Sequence, residues 1–104
     1  MNEVKDVAAL TKDVTAAWKS FDLAKVNGQN VRLRVMEDRV SEWHAHPESD
    51  EAFYVLDGTF HLDTDSGTRV IAAGQFGMAR AGERHRGRVE GRATMLVIDD
   101  FAAR

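Results

Sequence analysis

The chain has no cysteine, one proline and one tyrosine among its 104 residues, and no run approaches the roughly 20 consecutive apolar residues of a membrane span. Without thiols there are no disulfides, zinc–thiolate fingers, iron–sulfur clusters or cysteine nucleophiles. There is no excess of positive charge either. Fourteen Lys and Arg against seventeen Asp and Glu leave a formal net charge of −3, which offers no footprint for nucleic acid or an acidic membrane surface. The opening residues MNEVKDVAAL carry early acids and no apolar stretch, unlike a signal or transit peptide, so a soluble, cytoplasmic protein is expected. The length suits one domain, and neither repeats nor low-complexity segments divide it.

What is present is punctuated periodicity. Val7, Leu10, Val14, Ala17, Trp18 and Phe21 recur at steps of three and four, which predicts a helical face over residues 4–21. After the Asn27-Gly28 turn signal the period becomes two. Val31, Leu33 and Val35 alternate with Arg32 and Arg34, as in a half-buried strand. Short strand-like runs follow at 40–46, 51–57, 59–64, 69–72, 76–80, 85–89 and 93–99, separated by glycine and proline turns. Such spacing predicts an all-β barrel or sandwich. Two segments result: a helical or extended appendage over 1–28 and a β-barrel domain over 29–104.

The chemistry concentrates in residues 42–58, EWHAHPESDEAFYVLDG. Along a strand His44 and His46 point to the same side, Pro47 bends the chain, and Glu51 opens the next run. His85 begins a later strand after the Ala81-Gly82 turn. Imidazole nitrogens suit iron, nickel, copper and zinc, and a carboxylate extends the preference toward harder cations. Four such donors can close around a four-coordinate ion or leave two positions open on an octahedral one.

The order His44-x-His46-x4-Glu51-x6-Gly58, followed by Gly74-x7-Gly82-x2-His85, resembles the two motifs of the cupin superfamily, and the likeness extends over residues 30–99. That resemblance implies a jelly-roll β-barrel whose metal is held by His44, His46, Glu51 and His85. Three positions depart from the family pattern: Asp38 stands where a glycine is expected, Arg80 replaces a proline, and Val89 replaces an asparagine. Glu48 is the alternative carboxylate but misses the motif spacing, and it reads with Asp50 as a solvated loop charge. His61 matches no motif position and is expected at the surface. Arg84, Arg86 and Arg88 alternate onto the face opposite His85, toward solvent. Met36, Phe53 and Met78 are core positions that in a small barrel double as cavity wall, and Arg80 is expected at the mouth, gripping a substrate carboxylate.

The function expected from this resemblance is that of a metal-dependent enzyme, dioxygenase-like, acting on a small organic molecule with one divalent transition metal per chain: iron, nickel, manganese, zinc, cobalt or copper. Glu51 is the candidate general base. The alternatives are a non-catalytic metal- or small-molecule-binding module and a polyketide-cyclase or isomerase type of enzyme. Trp43, Tyr54 and Leu56 fall on outward faces, and Thr94–Ile98 is apolar on both, which predicts a homodimer through a sheet face.

Overall fold

Seven strands and one short helix make up residues 4–100, the part of the chain that this computed structural model describes. Residues 1–3 and 101–104, the outer ends of the two segments drawn above, lie outside the described residues. The helix α1 covers only Val7–Thr11, with the Asp6 carboxylate accepting a hydrogen bond from Ala9 N at 3.1 Å. The helical expectation over 4–21 therefore fails beyond Thr11. Thr11, Val14 and Thr15 are β-branched and stiff in a helix. Trp18–Val26 instead forms strand β1, paired from Trp18↔Met36 to Val26↔Gln29 with β2, Gln29–Val40. Asn27 and Gly28 join the two with φ of 49° and 83°, the doubly left-handed turn that suits a two-residue hairpin. The segment separated above as an appendage thus contributes a strand to the same sheet.

The remaining strands are β3 (Glu51–Asp57), β4 (Thr59–Thr64), β5 (Gly67–Ala72), β6 (Phe76–Ala79) and β7 (His85–Asp100). All pairings are antiparallel, and one sheet runs β1-β2-β7-β3-β6. β4 pairs with β5 and with the first residues of β7, from His61↔Arg88 to Thr64↔His85. The long β7 therefore belongs to both halves of an antiparallel jelly-roll barrel. It absorbs two of the expected runs, continuing through Gly91 at φ 73°. Opposite that bend, β2 changes register between Glu37 and Arg39. Asp38 there has φ 44°, so the backbone keeps the left-handed geometry for which glycine is suited. Aspartate tolerates this region better than most side chains, and its carboxylate accepts a hydrogen bond from Gly91 N at 2.7 Å.

The core lies between the two halves. Phe53 and Phe60 meet with ring centroids 4.8 Å apart, among Met36, Leu62, Met95 and Val97. Burying each such side chain contributes about 1.5–3 kcal/mol. The phase of β2 is the unexpected feature. Arg32, Arg34 and Met36 line the barrel interior, while Leu33 and Val35, both 0% exposed, lie on the outer face of the sheet. Leu33 is reached there by the N-terminal segment, which shares a groove with it through Val7 and Val14.

Candidate metal centre

Local hydrogen bonds place the ligand-type residues. The expected strand over 40–46 stops at Val40, but the chain rejoins the barrel at His44. His44 N donates to His85 O at 2.9 Å and His85 N returns a bond to His44 O at 2.8 Å, so these two residues are locked side by side. His85 follows a tight turn in which Glu83 N donates to Arg80 O at 2.9 Å and Gly82 takes φ 79°. Gly82 N also donates to His46 O at 2.8 Å, which ties the second histidine to the same turn. Glu51 opens β3 opposite Asp99 of β7 and Ala79 of β6.

The result is a compact cluster. Ring centroids are 4.3 Å apart for His44 and His85, 5.1 Å for His44 and His46, and 5.9 Å for His46 and His85. Glu51 Oε1 lies 3.1 Å from His85 Nε2 and 3.7 Å from His46 Nε2. One ligand atom from each of the four residues lies within 4.8 Å of the others. Donors across an ion with bonds of ~2.1 Å are about 4.2 Å apart, so the spread is of the right scale.

Two imidazoles are also in the protonation pattern a metal needs. His44 Nδ1 lies 2.8 Å from Glu42 O and His85 Nδ1 lies 2.7 Å from Glu83 O. A carbonyl only accepts, so both Nδ1 atoms carry protons and both Nε2 atoms are left for the ligand role. Burial pushes the Glu51 carboxyl up, but the His85 hydrogen bond and the charges of Arg34, His46 and His85 outweigh it and hold the group below its ordinary value. Burial alone would lower His85, yet the Glu51 bond and the Glu83 carbonyl bond raise it. The donor set, its spread and its fixed tautomers fit a divalent transition ion.

The cluster opens on a cavity of about 330 Å³ inside the barrel. Met36 and Phe53 lie on its wall. Met78 does not, because it sits on β6 beside Ala52, on the strand face opposite Phe53. Arg80 is likewise displaced from its expected place at the mouth. Its side chain is 71% exposed and its guanidinium turns to within 3.5 Å of Asp50. Asp50 is not a free loop charge but a fastener, accepting also from Ala81 N at 2.8 Å. Glu48 is exposed and stands outside the cluster. His61 is half-buried rather than superficial, and its Nδ1 is enclosed without a hydrogen-bond partner. Arg84 and Arg86 do point outward, over the Trp43 ring at 4.5 and 4.9 Å, but Arg86 and Arg88 are held by Asp63 and so are not simply solvated.

The cavity also holds residues that strand periodicity did not single out: Arg32, Arg34, Asp99 and Trp18. Arg32 donates to Asp99, which also accepts from Asn30 at 3.1 Å. Trp18, on β1, lies under two guanidinium groups, Arg34 at 5.4 Å and Arg39 at 5.7 Å. The available signal was the acid at 99, directly after the apolar run Met95–Ile98; when buried, such an acid needs a cation opposite it.

Comparisons with known proteins agree with this geometry. Residues 31–99 match the family model of the cupin domain. Over 100 residues, 95% of this chain and 88% of the relative, the sequence is 32% identical to the uncharacterized protein YdbB of Bacillus subtilis (strain 168). A cupin-2 domain containing protein from Shewanella frigidimarina NCIMB 400 superposes with a TM-score of 0.86 at 20% identity, over 94% of this chain and 95% of that one. TT1209 from Thermus thermophilus gives 0.81 at 22% identity, over 95% and 97%. KdgF from Halomonas sp. gives 0.73 at 18% identity, over 85% and 83%. At these identities the solved structures speak for the fold.

Proposed function

This chain belongs to the cupin family, and from that premise we propose that it is a metal-dependent enzyme acting on a small organic molecule, with dioxygenase-like oxidoreduction as its chemistry. The observation that carries the reading is that the three imidazoles and Glu51 lie together on the wall of a half-open cavity, where an ion held by them would face space for a ligand. A divalent transition ion held by His44, His46, Glu51 and His85 would supply Lewis acidity and, if redox-active, a route for electrons to dioxygen. The chain's own residues do the rest. The Glu42 and Glu83 carbonyls orient His44 and His85. Phe53, Phe60 and Met36 exclude water from one side of the cavity. Glu51, already bonded to His85 at 3.1 Å, is the group placed to move a proton should it leave the ion.

A homodimer is part of the same proposal. The outer face of the β1-β2-β7-β3-β6 layer carries Phe76, Tyr54 and Leu96 in one register row, with Phe76 59% and Tyr54 36% exposed. A second copy of the chain is the occupant this face suits, since symmetric pairing buries the same row on both partners.

Elemental analysis of tag-free protein, beside a His44→Ala/His46→Ala double variant, tests the metal. The expected result is about one redox-capable ion per chain, lost in the variant, and oxygen uptake with some member of a panel of small organic substrates. Zinc alone, or a redox metal without oxygen uptake, would refute the oxygenase chemistry and point to a cyclase, an isomerase or a binding module. No metal after reconstitution would refute the site.

A further inference from the structure

Three arginines of β2 line the cavity; Arg39 is exposed, and of the two sunk in the barrel, Arg32 and Arg34, only one is paired. Arg32 is held by Asp99. Arg34 makes no ion pair or hydrogen bond among the described residues, and its Nε is enclosed without a partner. Glu51 attracts it from a distance, but the Glu51 Oε1 atom is already within reach of His85 and His46. The Arg34 guanidinium carbon lies 5.4 Å from the centre of the Trp18 ring, a contact that engages none of its N–H donors. For folding alone, an aliphatic side chain at this position would serve better than a buried cation without a partner.

We propose that Arg34 is a substrate-binding residue and that the substrate is a small organic carboxylic acid. Its carboxylate takes the free guanidinium edge, and its body lies against Phe53 and Phe60 with its reacting end toward the His44, His46, Glu51 and His85 cluster. The placement of the reacting end rests on the function proposed above; binding of the carboxylate does not. Arg39, farther along β2, also lines the cavity over Trp18 but is exposed, so the buried fork that a ligand must satisfy is that of Arg34, which matches a planar carboxylate better than the three acceptor oxygens of a phosphate monoester. A planar carboxylate needs two parallel N–H groups, which one guanidinium provides.

The test uses the full chain, metal-free and cobalt-loaded, titrated calorimetrically with benzoate, its uncharged analogue benzamide, and inorganic phosphate at constant ionic strength. Benzoate should bind the metal-free wild type about tenfold or more tighter than benzamide, and Arg34→Met should lose that advantage while leaving benzamide affinity unchanged. Arg34→Lys, which keeps the charge without the fork, should fall between the two. If Arg34→Met does not fold, the wild-type comparison and the lysine variant decide. Equal affinity for benzoate and benzamide, benzoate binding undiminished in Arg34→Met, no benzoate binding at millimolar concentration, or tighter binding of phosphate would each overturn the proposal. Failure of the wild type to take up cobalt, with Arg34-dependent benzoate binding intact, would refute the metal function and leave this inference standing.

Discussion

Gly58 offers the sharpest quantitative test of the fold. It joins β3 to β4 at φ 78°, and a Cβ added there would lie 2.3 Å from the Arg92 carbonyl oxygen and 2.9 Å from the Ala93 Cα. Both are backbone atoms of β7, so no side-chain rotation can relieve the contact. The left-handed conformation costs an alanine about 1–2 kcal/mol. Displacing a packed strand adds about 1–3 kcal/mol. The smaller entropy of the unfolded alanine chain returns about 0.4–1 kcal/mol. Gly58→Ala should therefore lose about 2–4 kcal/mol in urea unfolding, a fall in melting temperature of roughly 10–30 °C for a domain of this size. Gly28→Ala is the internal control. It has φ 83° and nothing within 4 Å of the added carbon, so it bears the conformational cost without the clash and should lose only about 1 kcal/mol. Equal losses in the two variants would refute the steric argument.

The Glu51–His85 pair predicts a pH window for the metal-free protein. Glu51 is held below its ordinary 4.5, so its contribution is present above that value and fades as pH falls through its lower folded value. His85 is raised above 6.5, so its contribution is complete below 6.5 and fades as pH rises through its higher folded value. Calorimetry in chelator should find the pair's stabilisation greatest between these limits, and metal should restore stability on the alkaline side; a flat profile in Glu51→Gln and wild type alike would exclude the pairing. At the bend of β2, Asp38→Ala should cost about 1–2 kcal/mol through the lost bond to Gly91, whereas Asp38→Gly should come within about 1 kcal/mol of wild type because relief of the left-handed strain offsets that loss. Denaturant midpoints that rank the two variants the other way would show that the hydrogen bond, not the backbone, governs this corner. On the outer sheet face, sedimentation equilibrium should show a dimer at micromolar concentration, and Phe76→Lys should weaken it by about 100-fold or more. A wild-type monomer would exclude that interface.

The grouping of His44, His46, Glu51 and His85 was legible in the sequence because its information is local and chemical: two histidines two apart, a carboxylate five further on, and a third histidine after a glycine turn. Strand existence was legible for the same kind of reason, since glycine turns at 58, 74 and 82 bound short runs whatever the tertiary context. Trp18 and Phe21 were misread because steps of three and four among a few residues also suit an edge strand, and the ladder with β2 decides between them. Arg80 was misplaced because position in a turn says nothing about which neighbour a long side chain will choose; Asp50 was there to take it.

The phase of β2 was the harder problem, and its solution is electrostatic. Alternation fixes a period of two but not which set faces inward, and both faces of this strand are covered. A slip by one residue would bring Val31, Leu33 and Val35 inside, and since Leu33 and Val35 are already 0% exposed where they are, hydrophobic burial does not decide between the two phases. It would also turn Arg32 and Arg34 outward, bringing positive charge toward the groove under Val7 and Val14, and it would leave Asp99, whose side chain is 3% exposed, buried in the barrel without its cation. Removing one partner from a buried ion pair costs about 3–5 kcal/mol. Asp99, set opposite Asn30 on β2 and Glu51 on β3, thereby fixes the register of three strands at once. The charge that holds Arg32 also determines that Arg34, two residues further along the same face, enters the cavity with nothing of its own to bind.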